Sequence, residues 1–339
     1  MRLPTLPLLL VLAVAASAAG CDALGGADDA DTGERLFPAS QDGKPVLIDR
    51  TGRVAAALAG YNAAGFGAEG VTPARRWDGR NYWDFFRTDG QVAFTVAADE
   101  VRPPSQGRIR VRVDGRWAFV DDRGRYVVNP TFTDARDYSE GRAAVRTPSY
   151  RWTLIDRDGR SVTEAEWRDL GPVRDGRARF RDGDGAYGYV DAGGEVAVAA
   201  AYEDARPFSG GRAAVRQGQR WFYVDRDGGR PLGSQTFISA GDFAEGLAPV
   251  RTENLWEYVG RDGARRIAPG FEEARAFVDG RAAVQIDGRW TFIRTDGSAI
   301  AAPSFDEVED FAGGLAAVTV DGARGYIDRD GATVWVPRR

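Results

Sequence analysis

One aromatic position recurs along this chain at nearly constant spacing, and this repeat limits the possible folds more than any other feature. The steps are 34 or 35 residues, and a turn glycine stands seven residues after each copy. A second series of glycines runs in phase with the first. Repeats with periods of about 20 to 50 residues indicate a tandem array rather than two separate domains. The recurring position comprises Trp83, Trp117, Trp152, Tyr187, Trp221, Trp256, Trp290 and, in the last copy, Arg324.

Each copy has the pattern of short antiparallel strands. In 117–128, apolar and aromatic residues alternate on either side of a turn of Asp, Arg and Gly, which is typical of a β-hairpin. The segment 141–146 places Ala143 and Val145 on one face of a strand, and the recurring Ala indicates that a neighbouring copy approaches closely. A unit of about 34 residues cannot bury its aromatic side chains alone, so neighbours must share a core. We predict an all-β fold of about eight repeats, each an antiparallel hairpin or three-stranded unit.

The sequence favours an open array but leaves a closed ring as the alternative. A β-propeller often completes its last sheet with an N-terminal strand, so that the two ends of the sequence complement each other. Here both ends carry the same hairpin phase, PVLIDRTGRV at 45–54 and GYIDRDGATV at 325–334. Because these segments overlap, we expect an open, solenoid-like array, with a closed β-propeller as the second possibility.

The repeat pattern resembles a known family. The order F-x-x-G-x-A-x-V, then Trp, then a hydrophobic residue, Ile or Val, Asp and a turn Gly is similar to the WG repeat of bacterial proteins, over about residues 41–339. The family's Gly directly after the Trp is kept only as Gly188 and Gly325, so the chain is a divergent member. The resemblance implies an all-β repeat module, usually on exported or surface proteins. It implies no shared catalytic activity.

The N-terminal segment predicts export and lipid attachment. Residues 1–20 form a lipoprotein signal peptide, with Arg2 before an apolar run at 8–16 that is too short to span a membrane. The following AAGC resembles the lipobox of bacterial lipoproteins, and Cys21 is the only Cys of the chain. The small and acidic residues of 21–40 indicate a flexible tether. The β-repeat domain is then expected at 41–339, on a protein anchored in the bacterial cell envelope, periplasmic or surface-exposed.

Composition removes several function classes. The chain has no His, which excludes Ser-His-Asp and Cys-His nucleophiles and His-ligated zinc. A single Cys excludes intrachain disulfides and thiolate clusters. A net charge of −5 argues against a nucleic-acid partner. We therefore expect no cofactor, no metal and no enzymatic activity, with membrane contact through the lipid anchor only.

Three weaker interpretations concern recurring charged residues. The Asp-x-Asp-Gly turns could bind Ca²⁺, although turn chemistry explains them as well and Arg between the carboxylates opposes a cation. Neighbouring acids could serve glycoside hydrolysis, although 50 acidic residues make such pairs common. Recurring Arg could form an anion-binding stripe. The residues concerned are 156–159, 225–228 and 328–331 for Ca²⁺, 99–100, 164–166 and 272–273 for hydrolysis, and Arg142, Arg212 and Arg281 for anions.

Copies that depart from the template are the best candidates for function. The stretch 54–80 lengthens the first step, and Tyr150 adds an aromatic beside the usual Trp. The predicted contact surface comprises Tyr61, Arg75, Arg76, Trp77 and Tyr150. The sequence thus predicts a membrane-anchored, non-enzymatic lipoprotein whose array binds a protein or glycan of the envelope or exterior. The alternatives are a carboxylate-dependent carbohydrate-active enzyme on a propeller and a structural subunit of an envelope complex.

Overall fold

A computed structural model describes residues 35–64, 68–302 and 304–336. Within these ranges the chain forms 32 strands in nine antiparallel sheets, and no helix is present, which confirms the all-β prediction. In each sheet the strands are neighbours in the order in which they occur along the chain.

The sheets are numbered 1 to 9 in chain order, and the bounds of their strands are as follows. Sheets 1 to 3 contain β1 (Phe37–Gln41), β2 (Lys44–Ile48) and β3 (Val54–Ala57); β4 (Tyr61–Ala64), β5 (Val71–Arg76), β6 (Tyr82–Arg87) and β7 (Val92–Ala97); and β8 (Glu100–Val101), β9 (Ile109–Val113), β10 (Arg116–Val120) and β11 (Tyr126–Phe132). Sheets 4 to 6 contain β12 (Asp134–Ala135), β13 (Ala143–Arg146) and β14 (Trp152–Ile155); β15 (Asp169–Arg174), β16 (Arg177–Arg181), β17 (Tyr187–Asp191) and β18 (Val196–Tyr202); and β19 (Asp204–Ala205), β20 (Ala213–Gln217) and β21 (Arg220–Val224). Sheets 7 to 9 contain β22 (Ser239–Ala240), β23 (Leu247–Arg251), β24 (Trp256–Gly260) and β25 (Arg265–Phe271); β26 (Glu273–Ala274), β27 (Arg281–Ile286) and β28 (Arg289–Arg294); and β29 (Glu307–Val308), β30 (Leu315–Val320), β31 (Ala323–Asp328) and β32 (Thr333–Trp335).

A complete sheet has four strands, and its third strand contains the recurring aromatic. Sheets 4, 6 and 8 lack a regular fourth strand, and isolated bridges such as Trp221↔Phe237 take its place. Sheet 1 differs, because its described part begins with the strand that is second in the other sheets. Sheet 1, whose segment 45–54 has the hairpin pattern without the recurring aromatic, is therefore a ninth sheet, one more than the eight repeats expected.

The two glycine series close two kinds of turn, as predicted. Between the first and second strands of sheet 4, Glu140 and Gly141 both have positive φ (50° and 74°), which is the type I′ geometry of a two-residue hairpin. Between the third and fourth strands of sheet 3, Gly124 has φ 75° and its N–H donates to the carbonyl of Asp121 at 3.0 Å. Only glycine adopts such a φ without steric cost, which explains why both series recur.

Most sheets pack face to face on the next through a pair of aromatic rings, although among the described residues no ring pair joins sheets 1 and 2 or sheets 2 and 3. Tyr258 of sheet 7 lies tilted against Phe277 of sheet 8 with centroids 5.1 Å apart, and its hydroxyl donates to the carbonyl of Arg275 at 2.8 Å. Tyr223 and Phe243 form the same contact between sheets 6 and 7, at 4.7 Å. The recurring Ala lies fully buried beside these rings, as in Ala282, because a larger side chain would push the sheets apart.

The array closes into a ring. Phe37 of sheet 1 and Tyr326 of sheet 9 form an edge-to-face pair at 5.6 Å, and the Tyr326 hydroxyl donates to the carbonyl of Pro38 at 2.8 Å. The described residues contain nine apolar clusters, one at each junction between neighbouring sheets, including the junction of sheet 9 with sheet 1. The fold is therefore a nine-sheet propeller.

The preference for an open array is corrected by these contacts, and the closed alternative is the one the structure has. The overlap of the two end segments does not prevent closure, because sheets 1 and 9 each form separately. They then pack face to face, so no strand has to be exchanged between the chain ends.

The folded domain begins earlier than position 41. Leu36 and Phe37 are 1% and 2% exposed, and β1 occupies part of the segment 21–40 that was predicted as a tether. The predicted signal peptide (1–20) and Cys21 lie outside the described residues.

Ring closure predicts a measurable stability effect. We expect Tyr326→Phe to lower the free energy of unfolding by about 1 kcal/mol, because it removes one buried hydrogen bond and keeps the ring contact. Tyr326→Ala should cost about 3–5 kcal/mol, since it leaves a cavity between sheets 9 and 1. Urea unfolding followed by circular dichroism measures both. Tyr258→Phe, at an internal junction, is the matched control, and an effect there with none at Tyr326 would contradict closure.

Candidate functional site

The up-and-down topology gives the ring two different faces. In an antiparallel sheet, the connections after the first and third strands lie at one end, and those after the second and fourth strands lie at the other. We call these the turn face and the loop face. The turn face contains the glycine turns of both series. The loop face contains the connection between the second and third strands and the passage from one sheet to the next, and these vary from sheet to sheet.

The turn face is held together by contacts between neighbouring sheets. In six cases the residue before a second-series glycine accepts a hydrogen bond from the corresponding glycine N–H of the next sheet, as between Glu140 and Gly176 at 2.8 Å. The same contact joins Glu69 to Gly107, Gln106 to Gly141, Asp175 to Gly211, Glu245 to Gly280 and Asp279 to Gly314. These side chains align successive sheets.

The recurring arginines of the turn face are also used within the fold. Arg142 donates from Nε to the carbonyl of Ala192 at 2.8 Å, and Arg281 donates to that of Arg329 at 2.7 Å, in each case in the next sheet. Arg212 lies over the ring of Phe243 at 5.3 Å, and burial lowers its pKa, with the nearby Arg261 adding to the effect. These contacts remove the basis for an anion-binding stripe.

The aspartates of the Asp-x-Asp-Gly turns point at their own backbone. Asp156 Oδ1 accepts from the N–H groups of Asp158 and Arg160 at 3.0 and 2.9 Å, and Asp225 makes the same pair of contacts with Asp227 and Gly229. In the part of the chain that the structure describes, no three metal-ligating side chains converge. Turn chemistry therefore accounts for these carboxylates, as the simpler interpretation of the sequence held.

The acidic neighbours considered for hydrolysis lie at the surface of the loop face. Glu100 forms an ion pair with Arg102 at 2.6 Å, and Glu272 accepts from the Gly288 N–H at 2.8 Å. Glu164 and Glu166 are exposed in the irregular segment after β14. The structure places none of these pairs in a cleft with a second carboxylate facing them.

Two of the five predicted contact residues are built into sheet 2. The Tyr61 hydroxyl and the Arg76 guanidinium both donate to the buried carboxylate of Asp84, at 2.6 Å and at 2.7 and 2.8 Å. Burial and the bond to Asp84 raise the pKa of Tyr61 to about 12. Arg75 donates to the side-chain oxygen of Asn81 at 2.6 Å. Tyr61 and Arg76 therefore stabilise sheet 2 through Asp84, and their place in a contact surface stays a prediction.

The other two aromatic candidates project from the loop face. Trp77 is 72% exposed in the connection between β5 and β6, and Tyr150 is 64% exposed in the connection between β13 and β14. Both belong to the same kind of connection, in sheets 2 and 4. The corresponding connection of sheet 3 is the two-residue turn Asp114-Gly115. The two longer loops thus stand on either side of a short turn.

Tyr150 has an unusual backbone conformation. Its φ is 64°, and it is the only aromatic among the non-glycine residues with positive φ in the described chain. A hydrogen bond from its N–H to the Thr147 carbonyl at 2.9 Å holds it there, and the Arg146 guanidinium lies 4.9 Å from the ring centroid. A non-glycine residue in this region costs on the order of 1 kcal/mol, and for a bulky side chain such strain can indicate a functional site. The fold thus keeps the backbone of Tyr150 in a strained conformation while its ring is exposed.

These loops are also basic in an acidic protein. The segments 75–81, 112–116 and 146–151 contain seven Arg and two Asp, whereas the chain as a whole has a net charge of −5. The corresponding segments of sheets 7 to 9 (251–255, 285–289 and 319–324) contain three Arg and three acids. Among these segments the net positive charge lies on sheets 2 to 4, around Trp77 and Tyr150, and the corresponding segment of sheet 6 (216–220) adds two Arg.

Sequence reasoning missed two buried carboxylates, Asp84 and Glu257, which are 1% and 2% exposed. Both directly follow a Trp of the recurring series, at the position of the family's Gly. The sequence signal for both is an acid at this position, between two residues whose side chains enter the core.

The fold and its repeated turns define a propeller built from short tandem β repeats. A family model described as "WG containing repeat" matches residues 117–147, 152–185, 187–221, 237–256, 258–290 and 290–322. The chain belongs to this family. No curated protein matches it.

One of three similar solved structures supports the fold, at low sequence identity. A structure titled as that of a eukaryotic initiation factor has a TM-score of 0.62 at 12% identity, over 89% of this chain and 96% of its own. BamB from Moraxella catarrhalis has a TM-score of 0.42 at 11% identity, over 89% and 90%. Hsv2p from Kluyveromyces lactis has a TM-score of 0.39 at 15% identity, over 58% and 74%. Only the first is close enough to support the fold.

The turn aspartates predict an acid-dependent stability. Burial alone would raise the pKa of Asp121, but hydrogen bonds from the Arg125 side chain and from backbone N–H groups outweigh it and lower the pKa to about 2. Because the folded pKa lies below the unfolded value of about 3.9, this stabilisation is present above about pH 4 and is lost as the pH falls towards 2. The difference in unfolding free energy between the native protein and Asp121→Asn should therefore shrink across this window.

Urea unfolding at pH 7, 4 and 2.5 measures this difference, with Asp122→Asn as the control in the same turn. A difference that stays constant with pH would contradict the assignment.

Proposed function

We propose that this chain is a non-enzymatic binding scaffold, held at a bacterial membrane by a lipid on Cys21, whose loop face binds a partner in the envelope or outside the cell. The observation that carries the proposal is the contrast between the two faces. Regular turns and contacts between neighbouring sheets occupy the turn face, whereas the loop face has lengthened connections with exposed aromatic rings.

The composition of the loops favours a protein partner over a glycan. Trp, Tyr and Arg are the residues that contribute most of the binding energy at protein interfaces. The loops 77–81 and 146–151 combine these with Ser, Asn and Gly, which give adaptable hydrogen bonding. The excess of Arg further favours a partner surface with acidic side chains, since complementary charge increases the association rate and the specificity.

The membrane anchor rests on the sequence alone. Cys21 follows an apolar segment and small residues, and the described part of the chain contains no helix long and apolar enough to cross a bilayer. A multiply acylated Cys would hold the folded ring at the surface, because each buried CH₂ contributes about 0.8 kcal/mol.

Replacing Cys21 with Ala should therefore release the protein from membranes. We expect the wild-type protein in the membrane pellet and Cys21→Ala in the soluble fraction after cell fractionation, with immunoblotting as the measurement. Cys21→Ser tests the same thiol with a closer isostere. Membrane association of both variants would contradict the lipid anchor.

Tyr150→Gly separates binding from folding. Glycine adopts the positive φ freely, so the free energy of unfolding should stay unchanged or rise by up to about 1 kcal/mol. Recovery of the partner by cross-linking pull-down from the native envelope should fall at least ten-fold, and Trp77→Ala should act in the same direction. Quantitative mass spectrometry of the recovered proteins provides the readout.

Val196→Ala is the control for these variants, because Val196 is 58% exposed at the turn-face end of β18. Recovery that is unchanged in both Tyr150→Gly and Trp77→Ala, or that falls equally in the control, would contradict the assignment of the loop face. Recovery of a glycan rather than a protein would show that the partner class is wrong.

A further inference from the structure

The position after each recurring aromatic faces the preceding sheet. At Gly188 it has little room, because an added Cβ would lie 2.6 Å from the Val198 carbonyl oxygen and 2.8 Å from the Ala200 nitrogen of the adjoining strand. Other sheets place small or apolar residues here, including Phe222 in sheet 6, so a buried carboxylate at this position needs a specific explanation. Sheets 2 and 7 both place one here, and they provide an internal comparison.

In sheet 2 the carboxylate is saturated with donors. Asp84 accepts from the Tyr61 hydroxyl, twice from the Arg76 guanidinium, and from the Thr95 hydroxyl at 2.5 Å. Burial alone would raise the pKa of Asp84, but these bonds outweigh it and lower the pKa. This carboxylate has no capacity left for a ligand, and its role is to stabilise sheet 2.

In sheet 7 the equivalent carboxylate is not saturated. Glu257 is 2% exposed, and its Oε1 accepts one hydrogen bond, from the Thr252 hydroxyl at 3.1 Å. Its Oε2 is buried and has no hydrogen-bond partner among the described residues. Arg265 lies against Oε2 as an ion pair without hydrogen-bond geometry, and the side chain of Arg265 is 59% exposed. Among the described residues, the charge at Oε2 is therefore balanced by one cation whose own side chain is mostly exposed, and a buried carboxylate depends on such a partner.

A cleft opens in front of this carboxylate. It has a volume of about 440 Å³ and is lined by Glu257, Thr252, Arg265 and, from sheet 6, Gln235 and Thr236. The cleft lies beside the irregular segment that replaces the fourth strand of sheet 6, between β21 and β22. Its volume lies in the usual range of ligand pockets, about 300–1,000 Å³.

The chemistry of the cleft selects the ligand. A single carboxylate offers too few oxygens for Ca²⁺ or Mg²⁺, which need six or more ligands in all. A compact organic cation with several N–H donors can take the place of Arg265 at Oε2 and can also donate to neutral oxygens such as those of Thr252 and Gln235. The guanidinium of Arg265 already pairs with this oxygen from the solvent side, and the exposed Arg265 side chain can move aside.

We propose that the cleft between sheets 6 and 7 binds a primary ammonium group, with Glu257 as its anionic acceptor and Arg265 as the internal cation that the ligand displaces. The group can come from a small free amine or from the Lys side chain of a peptide. This site is separate from the loops of sheets 2 to 4 and does not depend on the proposed function.

Isothermal titration calorimetry of the folded protein tests the proposal. Two ligands are titrated: n-butylamine, and a peptide in which a single Lys is the only charged residue. We expect binding of at least one of the two, and the tighter one identifies the source of the ammonium group. Glu257→Gln should weaken this binding at least ten-fold, because the amide keeps the shape and removes the charge. Arg265→Ala should tighten it, because the competing cation is gone.

Asp84→Asn is the matched control, since it changes a carboxylate at the same repeat position and should leave amine binding unaltered. Circular dichroism melting confirms that each variant is folded, and Arg265→Ala keeps the test decisive if Glu257→Gln fails to fold. The proposal is overturned if neither probe binds, if Glu257→Gln binds as the wild type does, or if Arg265→Ala loses binding. Tyr150→Gly should bind the amine normally, whatever its effect on the loop face.

Discussion

The apolar contact between neighbouring sheets, which at most junctions contains a pair of aromatic rings, is the contact on which the rest of the structure depends. One three- or four-stranded sheet buries too little apolar surface to be stable, so each must lie against two others. Where a ring pair is present, as in Tyr258 with Phe277, it sets the distance between sheets, and the buried Ala beside it allows that distance. When the same pair forms between Tyr326 and Phe37, the stack has no free end. Closure is thus one more use of the repeated contact.

Closure separates structural from functional surface. On the turn face, polar side chains form hydrogen bonds between neighbouring sheets. A charged residue that recurs there is therefore explained by packing rather than by a ligand. Arg142 illustrates this, because its guanidinium is committed to a carbonyl of the next sheet. The connections of the loop face are not needed for these turn-face contacts, so they can differ in length from sheet to sheet. Variation and exposed aromatic rings such as Trp77 are tolerated there, and a scaffold can acquire binding surfaces on that face.

The two buried carboxylates show that the same repeat position can serve different purposes. Asp84 is surrounded by donors from its own sheet, whereas Glu257 faces an opening left by the irregular fourth segment of sheet 6. The difference does not reside in the acid itself. It depends on whether the preceding sheet covers the position, and this is a property of the assembled ring. Departures from a repeat are therefore informative only together with the surface they face.

The sequence by itself determined the strand pattern, the turns and the family, because each depends on local spacing: glycines at positive φ, alternating apolar residues and a fixed aromatic period. It also identified Trp77 and Tyr150, which break that period. Only the tertiary structure decided that the ring closes, because the contact of Tyr326 with Pro38 joins residues 288 positions apart and leaves no local signature. It likewise decided that Tyr61 and Arg76 serve Asp84, and that Glu257 faces a cleft, because partners and burial are fixed only when sheets meet.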